Sequence, residues 1–180
     1  MSEFEFLFTG ITIVLALAVA RLLEGLRDTF DPTRRFWIHS LWVVNRLMLA
    51  LSFFWAQFDD RARTAMSFFV FLGLVTPPAI MFLQANALVT AQPGTVPSWS
   101  VQFWTIRRWF FGSNMILVAS SFLAFRYSGG GAAMPYASFG AGLLLSVVGF
   151  VTANERVHGV LAVIGLLIAS ANLARIAMDA

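Results

Sequence analysis

Arg46 stands near the middle of the apolar run 36–58, and a charged side chain at the centre of a bilayer costs roughly 2.5–3.5 kcal/mol even on lenient insertion scales. It must therefore face protein or water. Asn45 sets an amide at similar depth, and His39 stands seven residues earlier, two helical turns along the same face. The first apolar run supplies a candidate counter-charge in Glu24, which sits three residues after Arg21 and three before Arg27. Two readings of this set stay open. One is an ion or proton pathway, or an anion site, using Arg46 with Glu24. The other is an ion pair between the first two helices, or a snorkelling arginine, that only holds the bundle together.

The other chemistry-bearing residues are sparse. His39 and His158 are the 2 histidines of the chain, and both fall near the start of an apolar run on one side of the membrane, a placement that permits a bis-histidine haem. Metal binding by the histidines with Glu155 has weak support, because no HExxH or similar ligand spacing is present. With 0 cysteines, disulfides, thiolate catalysis and Cys-ligated zinc or iron–sulfur sites are excluded. Gly129 to Gly131 cannot cradle a phosphate as a P-loop does, since all 12 basic residues are arginine and the required lysine is missing. No catalytic constellation, metal site or cofactor site is expected, and the chain is read as a non-enzyme. Gln84, Asn86, Ser113, Asn114, Asn172 and Arg175 within apolar runs read as interhelical hydrogen-bonding groups.

The elements that must carry these residues follow from composition. Of 180 residues 59% are hydrophobic and 12% charged, against roughly half apolar and a quarter charged in soluble domains. A water-soluble globular domain is excluded. The expectation is an all-α integral membrane protein, one domain over 1–180, with about six transmembrane spans at approximately 6–26, 36–58, 66–89, 109–125, 135–153 and 157–178. A short interfacial helix is expected before the fourth span, because Trp99, Phe103, Ile106 and Phe110 recur at helical spacing among Gln102, Thr105, Arg107 and Arg108. Trp37, Trp99, Trp104 and Trp109 fit an aromatic belt at the membrane–water interface.

Pro77 and Pro78 interrupt the third span and predict a kink, whose freed carbonyls need Thr76, water or a neighbouring helix. Ser138, Gly142 and Ser146 form a small-residue stripe on the fifth span, suited to close approach by another helix within the bundle or in a second copy. Asp59 to Arg63 and Ser128 to Gly131 read as polar breaks. Cleavage of the first span as a signal peptide is disfavoured by Glu3 and Glu5, which stand where such signals carry positive charge.

The arginines lie singly or in pairs at span ends, which points to topology determinants and bilayer anchors and away from nucleic-acid binding. The side of the first, third and fifth connections holds more of them, so both termini are expected outside the cytoplasm. The N-terminal Met1 to Thr9, the run Arg21-Leu22-Leu23-Glu24-Gly25-Leu26, Phe54-Trp55 and Arg107-Arg108-Trp109-Phe110-Phe111-Gly112 resemble an uncharacterised family of small multi-spanning bacterial inner-membrane proteins. That resemblance implies a bacterial origin and an inner-membrane location, and it carries no activity. The expected function is a non-enzymatic bundle that transports or senses a small solute or ion, in contact with membrane lipids and assembled as a homo-oligomer or within a larger membrane complex. The alternatives are a structural or accessory subunit of such a complex and, third, the bis-histidine haem protein.

Overall fold

The computed structural model describes residues 3–59, 68–90, 96–127 and 134–179. The described residues form six α-helices and no strand: α1 Glu3–Thr29, α2 Trp37–Asp59, α3 Phe68–Leu88, α4 Trp99–Tyr127, α5 Met134–Val151 and α6 Glu155–Asp179. Four of them, α1, α2, α3 and α6, are long and apolar enough to cross a membrane. In α5 the apolar stretch Ala137–Val151 is shorter. The polar breaks at 60–63 and 128–131 lie outside the described residues.

The helices close into a ring. α1 packs between α2 and α3, α3 lies along α4, α4 along α5 and α6 along α2, while α5 and α6 complete the circuit through a thinner contact. Local sequence sets several of these junctions. α1 stops at Thr29, whose hydroxyl donates back to Gly25 O at 2.8 Å. Asp31 then turns the chain by accepting from both the N–H and the hydroxyl of Thr33, at 2.9 and 2.7 Å. Those bonds hold the exposed Asp31 carboxyl below the usual aspartate range. The start of α4 is pinned to this turn, since Trp99 donates its backbone N–H to Arg34 O and its indole Nε1 to Asp28 O at 2.7 Å. At the start of α6, Asn154 Oδ1 accepts from the N–H groups of Arg156 and Val157, the bond an N-cap makes.

Three sequence expectations change here. The segment expected as a separate interfacial helix is the first part of α4, which runs unbroken to Tyr127. Its aromatic stripe faces protein: Trp99, Phe103 and Phe110 are fully buried, with Trp99 stacked on His39 at 5.0 Å between ring centroids. The periodicity was that of a buried face, and the same pattern serves a core as well as a lipid surface. Trp99 accordingly leaves the aromatic belt, while Trp37 and Trp109 stay near half exposed. Arg107, expected at a membrane surface, is buried, and its Nη1 donates to Gly149 O and Phe150 O, both at 3.2 Å, capping the carbonyl end of α5. α3 continues through Pro77 and Pro78, both buried.

Glycines decide how closely some helices meet. A Cβ at Gly149 would lie 2.5 Å from the Phe111 ring, and one at Gly159 would lie 2.7 Å from Trp37. Where lipid offers no hydrophobic drive, such backbone-to-ring contacts supply the dispersion that holds helices together.

Candidate functional site

Several polar residues of the helices turn inward while many large apolar side chains face outward; Asn86, expected to bond between helices, is exposed and donates to Phe82 O of its own helix at 2.9 Å. Leu17, Leu144 and Leu167 are each more than half exposed, whereas Asn45, Arg46, Asn114 and Ser146 are all buried.

Arg46 on α2 lies opposite Asn114 on α4. Its Nη1 donates to Asn114 Oδ1 at 2.7 Å, Asn114 Nδ2 donates to Ser146 Oγ at 2.7 Å, and Ser146 Oγ donates to Gly142 O at 2.6 Å. The guanidinium carbon also lies 4.7 Å from the Phe110 ring centroid and 5.7 Å from that of Trp42. Each aromatic precedes its polar partner by one turn of the same helix, Trp42 before Arg46 and Phe110 before Asn114. The cation thus sits among two rings and one amide. A charge-assisted hydrogen bond contributes about 1.5–3 kcal/mol, and a desolvated cation–π contact adds about 0.5–2 kcal/mol. Together they offset most of the roughly 2.5–3.5 kcal/mol insertion cost without a counterion.

No carboxylate pairs with Arg46 among the described residues. Glu24, its expected partner, is two-thirds exposed and bonds Arg21 Nη1 at 3.1 Å along α1. The reason is geometric: α1 packs on α2 and α3, and Arg46 points to the opposite side of α2, toward α4 and α5. Glu24 and Arg21 therefore fall outside the site.

Beside Arg46 is a cavity of about 170 Å³ bounded by α2, α4, α5 and α6. Trp42, Asn45 and Arg46 border it from α2, and Asn114 from α4. Ser138 and Gly142 border it from α5, Gly165 and Asn172 from α6. Asn45 Nδ2 donates to Gly165 O at 2.7 Å, and a Cβ at Gly165 would lie 3.1 Å from Trp42, so a glycine there allows α2 and α6 to approach at the level of Arg46. Arg46 Nε and Trp42 Nε1 are buried donors with no acceptor.

The stripe Ser138, Gly142 and Ser146 faces α4 inside the bundle: a Cβ at Gly142 would be 3.3 Å from Val118, and Ser146 accepts from Asn114. It reads equally well as packing and as cavity wall.

His39 lies outside the cavity. Its Nε2 is 3.1 Å from Leu88 O, and His158 Nε2 is 3.0 Å from Thr152 O. A carbonyl can only accept, so both rings carry their hydrogen on Nε2. Phe103 packs edge-on against both imidazoles, with centroids 6.5 Å from His39 and 5.3 Å from His158. Rings turned to separate carbonyls with a phenyl against each do not fit as axial ligands of one haem iron. Gln84 acts as interhelical glue, donating to Phe110 O and to Ser113 Oγ.

The residue missed as part of the site is Asn114, which the sequence marks only as a polar group in an apolar run. The one-turn spacing shared by Trp42–Arg46 and Phe110–Asn114 was an available signal. No protein-family model, curated protein or solved structure matches the chain, and the functional reading rests on this geometry.

Proposed function

We propose that this chain is a bacterial inner-membrane protein whose six helices all cross the bilayer, with both termini outside the cytoplasm, and that it moves or senses a small solute without catalysing a reaction. The carrying observation is the buried Arg46, held by neutral partners beside a partly open cavity lined by four helices. A charge kept inside a membrane bundle and paired with no carboxylate is the arrangement expected where a solute supplies the missing partner. The four long apolar helices and the outward-facing leucines support a lipid setting. At roughly 43 Å, α4 is long enough to cross and to extend beyond the bilayer.

The test is flux into proteoliposomes for a panel of inorganic ions, neutral solutes and organic anions, with solute-induced shifts in melting temperature read on the same protein. The expected result is a response to at least one solute class that Arg46→Leu removes. Absence of flux and of any melting shift across the panel, with Arg46→Leu behaving as the unaltered protein, overturns the proposal. Recovery in mild detergent only as part of a larger assembly would favour the accessory-subunit alternative.

A further inference from the structure

We infer that the cavity between α2, α4, α5 and α6 binds a small monocarboxylate with an apolar body, an inference that rests on reading this cavity as the solute site. Charge comes first. Arg46 is the cation bordering the cavity, it is 4% exposed, and its nearest polar partner is an uncharged amide. One cation without a counter-charge matches one negative charge. A cationic solute would meet repulsion, and a multiply charged anion would be left with uncompensated charge against largely apolar walls.

Geometry narrows the anion further. A guanidinium is a planar fork that matches the two oxygens of a carboxylate. Arg46 Nε and, one helical turn earlier, Trp42 Nε1 are both buried donors without an acceptor. Both atoms are covered by protein, so a ligand meets the guanidinium where Arg46 borders the cavity; Arg46 is a donor only, so a carboxylate gains from it and a neutral or cationic donor solute gains nothing.

The remaining wall sets the body of the ligand. Leu49, Leu117, Phe139, Leu145 and Ile168 line the cavity, surfaces that favour hydrocarbon over a bare hydrated ion. A cavity of about 150 Å³ elsewhere accommodates benzene. The cavity of about 170 Å³ here therefore suits a molecule of about six to nine heavy atoms. Chloride would leave most of it empty, and a long acyl chain would run out through its open side and gain nothing further from these walls.

Access is also marked by residue type. Ser121 lies two turns beyond Asn114 on α4, Asn172 two turns beyond Gly165 on α6, and Ser138 one turn before Gly142 on α5. All three line the cavity toward the end of the bundle where α4 finishes and α5 begins, a polar route along which a carboxylate can shed its water in steps.

The experiment is equilibrium binding to the full chain in phosphatidylcholine nanodiscs, read by calorimetry and by melting temperature. The probes are acetate, butyrate, hexanoate, benzoate and decanoate, with butylamine, butyramide, chloride and phosphate as contrasts. The expected result is saturable binding strongest for butyrate, hexanoate or benzoate, and weaker by about tenfold or more for the amide and the amine. Arg46→Gln should lose at least about tenfold in affinity, and Arg46→Lys, which keeps the charge and loses the fork, should lose severalfold while staying folded. Equal binding of amine or amide, preference for chloride or phosphate, strongest binding of decanoate, or affinity unchanged in Arg46→Gln each overturns the assignment. The ligand series on the unaltered protein decides the matter even if the variants do not fold. Flux or melting shifts with a cation or neutral solute but no carboxylate binding would sink this class assignment while leaving the solute-site reading intact; silence for every solute would sink both.

Discussion

Replacing Asn114 with leucine, a side chain of the same branching and heavy-atom number, leaves Arg46 a buried cation whose remaining partners are the Phe110 and Trp42 rings. The bond lost is charge-assisted, about 1.5–3 kcal/mol. The link from Asn114 to Ser146 adds about 0.6 kcal/mol, the average for interhelical hydrogen bonds in a membrane. Ser146 is not stranded, because its hydroxyl still donates to Gly142 O. Asn114→Leu should therefore destabilise the protein by about 2–3.5 kcal/mol. Arg46→Met loses the same bond but removes the charge with it, leaving Asn114 Oδ1 beside a cavity water can enter, at a cost of about 1 kcal/mol. The double variant strands neither group and should be no less stable than Arg46→Met, giving a coupling of about 2 kcal/mol. Reversible unfolding in mixed micelles, followed by circular dichroism, measures all four proteins. Single effects that add to within about 0.5 kcal/mol would refute the account of Arg46 as a cation held by Asn114.

Gly25→Ala should cost about 1–3 kcal/mol, because the new Cβ collides with the buried Val89 side chain. Adding Val89→Ala should not rescue it, since Val89 Cβ itself lies 2.7 Å from that position; full recovery of the melting temperature in the double variant would contradict the packing described. Arg107→Met should expose the carbonyl end of α5 and cost about 1–2 kcal/mol. The Thr152 amide, which donates to Val148 O, should then exchange with deuterium about tenfold faster, and unchanged exchange there would count against the capping role.

Much of the secondary structure was legible in sequence, because a membrane span announces itself by length and hydropathy alone. Five of the six helices, α1, α2, α3, α5 and α6, cover the expected runs to within a few residues. Arg46 was legible for the same reason, since a charge in an apolar run must be turned inward wherever the helices happen to lie. Its partner was not. Glu24 has the right charge, but α1 lies on the wrong side of α2, and no periodicity within one helix reveals which neighbour it will face. The aromatic stripe of α4 shows the same limit: helical spacing specifies a face, and only the position of His39, Trp42 and His158 makes that face a core. Arg107 too has the type and place of a bilayer anchor until the end of α5 is brought beside it. Sequence by itself determined which segments become helices and which side chain cannot face lipid. Helix-to-helix packing decided the rest, because the Arg46–Asn114 contact and the cavity beside it join residues 68 positions apart on helices whose adjacency is a property of the ring and of neither segment alone.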